Sequence, residues 1–201
     1  MSEGHFDFIY AISVFTHLTQ HWAGWMAELH RVLADDGLLY ATFLGPDWVP
    51  RLTGEERWPE EQVGVVALGE GAPWDEGGPC TFVSEWWLRA HWGRAFDFVS
   101  LEPSHEPAQG VALMRKRSPR VEAEELERPA ATDLEREARA LVFAQKAMLR
   151  NAAQHRAMLE QRSATLEQRL IDVQTQIELV LQSKSWRLTA PLRALAARAR
   201  R

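Results

Sequence analysis

One stretch, residues 6–43 (FDFIYAISVFTHLTQHWAGWMAELHRVLADDGLLYATF), constrains the fold more than any other. Residues 6–12 are a short apolar run rich in aromatic and β-branched side chains, as expected of a parallel strand covered on both faces. Thr19 is placed to cap a helix. From Trp22 the apolar residues fall at Trp22, Trp25, Met26, Leu29, Val32 and Leu33, which is helical spacing. Asp35-Asp36-Gly37 stops that helix, with Gly37 suited to a left-handed position. Residues 38–43 return as a second apolar strand. Strand, helix and strand with short joints make a βαβ unit, so the fold class is α/β.

The rest of the chain extends this unit. Residues 45–79 form a long excursion punctuated by Pro and Gly, with one short strand expected over 63–68. It carries Trp48, Trp58 and Trp74 among many carboxylates. Exposed Trp beside carboxylates suits stacking on a sugar; Trp covering the sheet as core is the competing reading. Ser84 is placed to cap a second helix, which Gly93 ends. Residues 96–101 and 111–114 read as strands, and the link between them is too short for a crossover, so they pair antiparallel. Residues 119–133 read as a linker. Residues 134–183 contain neither Pro nor Gly and favour helix.

Two apolar sets lie on that long helix. The first is Leu134, Ala138, Leu141, Met148 and Ala152. The second is Leu159, Leu166, Leu170, Val173, Ile177 and Val180, which alternates steps of four and three. That spacing is a coiled-coil seam, and a stripe so narrow needs a partner helix. Self-association as a dimer is the simplest solution. A helix folded back on the domain is the alternative.

Charge is distributed unevenly. From Lys184 to the end the chain is +6 with no acid, and the remainder is −11, for a net −5. A basic end suggests an anionic partner for that end alone. The acidic body and the lack of a recognisable module argue against nucleic acid. Cys80 is the only cysteine, so no internal disulfide forms and a reducing, cytoplasmic setting is expected. No apolar run reaches bilayer length and no signal peptide is read. Metal binding is not expected: His17 and His21 stand four apart, but no H-E-x-x-H pattern accompanies them.

Phe6-Asp7-Phe8-Ile9-Tyr10, Ser13-Val14-Phe15-Thr16-His17-Leu18, Glu28-Leu29-His30-Arg31-Val32-Leu33 and Gly37-Leu38-Leu39 resemble the second half of a class I S-adenosylmethionine-dependent methyltransferase. The resemblance covers residues 6–117. It implies a partial Rossmann-like sheet, strands four to seven of the family with flanking helices, and S-adenosylmethionine as cofactor. The antiparallel hairpin fits that sheet better than a plain dinucleotide-binding one. By resemblance, Ser13 and Val14 lie beside the cofactor and His17 faces the methyl group or the substrate. His17 is then the candidate base for a hydroxyl acceptor; a structural role at the helix start is the competing reading. Trp48, Trp58 and Trp74 fall where the family builds its substrate side.

No G-x-G-x-x-G-like loop occurs, nor the acidic residue that would hold the ribose. The chain is therefore read as an N-terminally truncated enzyme, inactive alone. Residues 183–193 (SKSWRLTAPLR) resemble a segment that follows coiled coils in bacterial glycosyltransferases and methyltransferases of surface-polysaccharide assembly. That likeness implies a glycan or cell-envelope acceptor. It makes residues 184–201 a basic amphipathic tail for docking on a glycosyltransferase or on the inner membrane face. A non-catalytic coiled-coil assembly module is the alternative for the whole chain.

Overall fold

In the computed structural model, which describes residues 3–118 and 120–191, strand β1 (Phe6–Ala11) leads through a turn into helix α1 (Trp22–Val32) and strand β2 (Leu33–Phe43). β1 and β2 are parallel, with Tyr10 opposite Tyr40 and Ala11 opposite Ala41. The expected strand–helix–strand unit is present, but two of its joints differ from expectation. Thr19 does not cap α1. His21 occupies that position with φ +59°, and Trp25 N–H donates to His21 O, so the helical ladder begins beyond the reach of Thr19. Asp36, not Gly37, takes the left-handed conformation, with φ +64°. Gly37 is needed for space: a Cβ there would stand 2.8 Å from Ala34 O and 2.9 Å from the Leu33 side chain.

After β2 come helix α2 (Val49–Thr53), strand β3 (Val65–Leu68), strand β4 (Cys80–Val83) and helix α3 (Glu85–His91). Ser84 caps α3 as expected, its Oγ accepting from Trp87 N–H. Strands β5 (Phe96–Glu102) and β6 (Gly110–Lys116) follow and pair antiparallel. The main sheet has the order β1-β2-β6-β5, so β6 returns between β2 and β5, antiparallel to both. β3 and β4 make a separate two-stranded ribbon.

Alternation along the strands divides the main sheet into two unlike faces. Ala11, Leu39, Ala41, Phe43, Ala112 and Met114 point to a core shared with Ala23 and Met26 of α1 and with Trp87, Leu88 and Trp92. On the opposite face Phe8, Tyr10 and, just past the strand, Ile12 are exposed, and Leu38, Tyr40 and Leu113 beside them are only half-buried. The expectation that β1 is covered on both faces is thus corrected. α1 and α3 pack into one cluster on one side, while on the other Phe8, Tyr10 and Ile12 of the β1 region stay exposed.

A second core surrounds the β3–β4 ribbon: Leu44, Val49, Trp58, Val63, Val66, Leu68 and Phe82. Helix α4 (Ala123–Glu127) lies in the expected linker, and helix α5 spans Leu134–Gln182. The chain divides into compact units between Ala152 and Ala153. Within the first unit, Glu137, Ala140, Ala144 and Ala147 of α5 are buried, while Leu134, Leu141 and Met148 stay exposed. For these turns the folded-back alternative holds. Alanines let the helix approach closely: Ala140 Cβ lies 3.1 Å from where Gly64 would carry a Cβ. The expected first seam points away. In the second unit, Ser183 caps helix α6 (Lys184–Leu188) by accepting from Trp186 N–H. Leu192 and Arg193 of the tail motif, and Leu195, Arg198, Arg200 and Arg201, lie outside the described residues.

One packing detail has a pH consequence. His30 of α1 is buried; its Nε2–H donates to Arg117 O at 2.7 Å, and Nδ1 is enclosed without a partner. Burial holds its pKa below the usual imidazole value, opposed by the Arg117 carbonyl. The unfolded chain therefore takes up the proton first. Its contribution is fully present above the unfolded value of about 6.5 and is lost as pH falls toward the folded one. Urea unfolding at pH 7.5 and 5.5 should show a loss of stability on acidification that is smaller in His30→Gln. An equal loss in both would remove His30 as a source.

Candidate functional site

The carboxyl ends of the parallel strands β1 and β2 lie side by side, the place where open α/β sheets hold ligands. Ser13, just past β1, has φ +55°, a conformation uncommon for a side-chain-bearing residue and concentrated at functional sites. Three bonds hold it there. Ser13 N–H donates to Thr42 Oγ1 of β2 at 2.8 Å. Gln109 Nε2 donates to Ser13 Oγ at 2.9 Å, and the same hydroxyl lies 3.3 Å from Gln109 Oε1. Ser13 and Val14 are both exposed. Gln109 comes from the β5–β6 connection and is not among the residues the sequence singles out. A polar residue in a loop 96 positions away carries no local signal of this contact.

That connection is held against the end of β2. Trp48 Nε1–H donates to Ala108 O at 3.2 Å, and Arg51 pairs with Glu106 at 2.8 Å. Trp48 is half-buried and carries the Arg51 guanidinium over its ring. Gly45 lets the two chains meet, because a Cβ on it would lie 3.0 Å from Ser104 Cβ.

His17 follows in the turn from Ser13. Its Nδ1–H donates to Pro79 O at 2.6 Å, since a carbonyl can only accept. The neutral ring then carries its lone pair on Nε2. A fixed tautomer of this kind is what a general base needs, and equally what a structural tie between two loops produces. The backbone ties the same loops: Thr81 N–H donates to Thr16 O at 2.8 Å, and Thr81 Oγ1–H to Leu18 O at 2.9 Å. Trp74 meets the His17 ring edge-on at 5.3 Å and is itself 69% exposed.

The three sequence-selected tryptophans therefore separate. Trp74 stands beside His17 with its ring open to solvent. Trp48 braces the β5–β6 connection. Trp58 is only 5% exposed, packs on Phe82 and Phe143 and donates from Nε1 to Glu55 at 2.9 Å. Trp58 belongs to the second core and offers no ring face to a ligand, which corrects the expectation for it. Cys80 at the start of β4 is half-buried, and burial pushes its thiol up, away from the thiolate a nucleophile requires.

Ser13, Val14, His17 and Trp74 are the groups this end of the sheet brings together. They offer a hydroxyl, an exposed backbone edge, an imidazole of set tautomer and an aromatic face.

The family model described as methyltransferase domain matches residues 1–41, which end in β2. A crystal structure of a SAM-dependent methyltransferase from Methanosarcina mazei is similar to 58% of this chain at 16% identity, with a TM-score of 0.39. A protein from Pyrococcus horikoshii OT3 is similar over 58% of this chain at 14% identity, with a TM-score of 0.40. The chain spans 62% and 54% of the lengths of those two proteins. No curated protein matches.

Proposed function

We propose that residues 6–117 are the later half of an S-adenosylmethionine-dependent methyltransferase that acts on a hydroxyl of a glycan or related cell-envelope metabolite, and that this half does not hold the cofactor alone. The observation that carries the reading is the match of residues 1–41 to the methyltransferase domain, with Ser13 and His17 at the carboxyl end of the strand it contains. The cofactor, when bound, supplies a methyl group already activated on a positively charged sulfur. Alignment does most of the remaining work. Ser13 and Val14 line its near side. His17 accepts the acceptor hydroxyl's proton at Nε2, with Pro79 O holding the ring in register. Trp74 stacks on the acceptor, and the edge it shares with His17 sets the distance between stacking face and base.

The acceptor class rests on the likeness of residues 183–193 to segments in surface-polysaccharide enzymes. The same likeness supports docking of the tail on a glycosyltransferase or on the inner membrane face, and so a cytoplasmic, peripheral location. No helix of the described residues is long and apolar enough to cross a membrane. Trp186 and Leu188 of α6 are exposed beside Lys184 and Arg187, which suits a surface contact. The second reading, a non-catalytic assembly module, is favoured by the long exposed stretch of α5.

Calorimetry separates the two. This chain titrated with S-adenosylmethionine should give no heat. Co-expression with a polypeptide carrying a Gly-rich cofactor loop and its strands should restore binding and methyl transfer. In that complex His17→Ala should lower turnover by about 10²-fold or more with cofactor affinity unchanged. Micromolar binding by the chain alone defeats the half-domain reading, and full activity without His17 defeats its role as base.

A further inference from the structure

Residues 153–182 of α5 all stand exposed. Their apolar side chains are ordered. Leu159, Leu166, Val173 and Val180 recur every seven residues, and Leu170 and Ile177 each follow one of them by four. These are the d and a positions of one heptad register, with Ser163 in an earlier a position. Met158, Ile171, Leu179 and Leu181 are exposed outside these two positions, but only a and d repeat along the stretch, and that repeat is the seam of a two-stranded coiled coil.

The flanking charges select what covers the seam. The g positions are His155, Arg162, Arg169 and Gln176; the e positions are Glu160, Glu167, Gln174 and the apolar Leu181. In a parallel, in-register pair of identical helices, each g residue meets the e residue five positions later on the other chain. His155 then meets Glu160, Arg162 meets Glu167 and Arg169 meets Gln174, with no like-charged g–e contact; the like-charged layer is Arg156, in the a position at the very start of the seam. Antiparallel pairing sets g against g and e against e, which opposes arginine to arginine and glutamate to glutamate. We infer that residues 156–182 bind a second copy of this chain as a parallel, in-register two-stranded coiled coil. The contact runs about 40 Å at the helical rise per residue. It stands independently of the methyl-transfer reading.

Ser163→Cys in a Cys80→Ser background tests direction and register together. Cys80 is the only native cysteine, so the variant carries one thiol, in an a position. Across a parallel, in-register axis the two thiols face each other; in any other arrangement they are far apart. Mild oxidation of the full chain should give a disulfide-linked dimer. It should form roughly a hundredfold faster than with Gln161→Cys on the outer face in the same background, because pairing raises the effective thiol concentration from micromolar toward millimolar. Equal rates, a monomer in sedimentation, or capture of a different helical protein without self-crosslinking would each overturn the inference. Arg162→Glu and Glu167→Arg should each weaken the dimer several-fold, and the two together should restore it. Restoration by the pair also shows that the single variants fold. No restoration counts against the register.

Discussion

Replacing Glu137 by Ala should lower the melting temperature by on the order of 10 °C, the largest loss expected from any single side chain of α5. Glu137 is buried on the domain side of the helix. Its Oε1 lies 3.0 Å from His91 Nε2 and accepts Ala130 N–H at 3.2 Å. His91, also buried, places Nδ1 2.7 Å from Leu126 O and stacks on Trp87 at 4.4 Å. Both ring nitrogens thus face acceptors. The ring satisfies both only by carrying a proton on each with Glu137 ionised, or by sharing one with a protonated carboxyl. Either way the carboxyl joins α3, the 126–130 segment and α5 at one point. Removing it leaves a buried imidazole nitrogen and a backbone N–H without partners. Breaking a buried pair from one side costs about 3–5 kcal/mol, against a total domain stability of about 5–15 kcal/mol.

The double variant His91→Phe/Glu137→Leu makes the prediction specific. Phe keeps the stack on Trp87, and Leu126 O retains Arg94 Nη1 at 3.3 Å. With no buried charge left unmatched, much of the loss should return. A Glu137→Ala chain that melts within about 2 °C of the parent would show that the pair holds nothing. A double variant as unstable as the single would assign the loss to packing.

None of this clasp is legible in the sequence, since His91 and Glu137 are 46 positions apart and neither stands in a motif. What could be read was local and periodic. β1, α1 and β2 announced themselves through a change of apolar period, the β5–β6 hairpin through its short link, and α5 through 49 residues without Pro or Gly. β4 was missed because four residues after a Gly- and Pro-rich loop carry no period, and its partner β3 begins the other side of that loop. The docked face of α5 was misjudged for a different reason. Close helix packing favours alanine, so Ala140, Ala144 and Ala147 give a weak apolar signal where burial is complete. Leu134 and Leu141 give a strong one where the helix is exposed. At the candidate site, Ser13 and His17 could be chosen from their place after a strand. The bonds from Gln109 and Pro79 that define their geometry depend on how distant loops come together.

The open side of β1 should govern how the purified chain behaves. β1 pairs with β2 on one edge, and no described strand lies on its other edge. Tyr10 is 69% exposed and Ile12 58%, with Phe8 beside them on the uncovered face. An unpaired edge that is also apolar is a template for another strand, and Asp7 is the single acidic or basic residue between Phe6 and Ile12 to oppose it. Light scattering of dilute chain should therefore grow with time without reaching a fixed size. Pairing through α5 would instead stop at a defined oligomer, so the two processes are distinguishable in one sedimentation run. Tyr10→Lys/Ile12→Lys should slow that growth roughly tenfold while leaving the helical signal intact, because lysines on an exposed edge resist strand addition. Neither side chain contributes to the buried core on the α1 side, so the substitutions should leave the melting temperature nearly unchanged. The same double variant in the co-expressed complex should lose its association with the polypeptide carrying a Gly-rich cofactor loop and its strands, if that polypeptide docks along β1. Growth at the parent rate in the variant would move the sticky surface elsewhere. Association undiminished would mean the sheet is completed by some other edge.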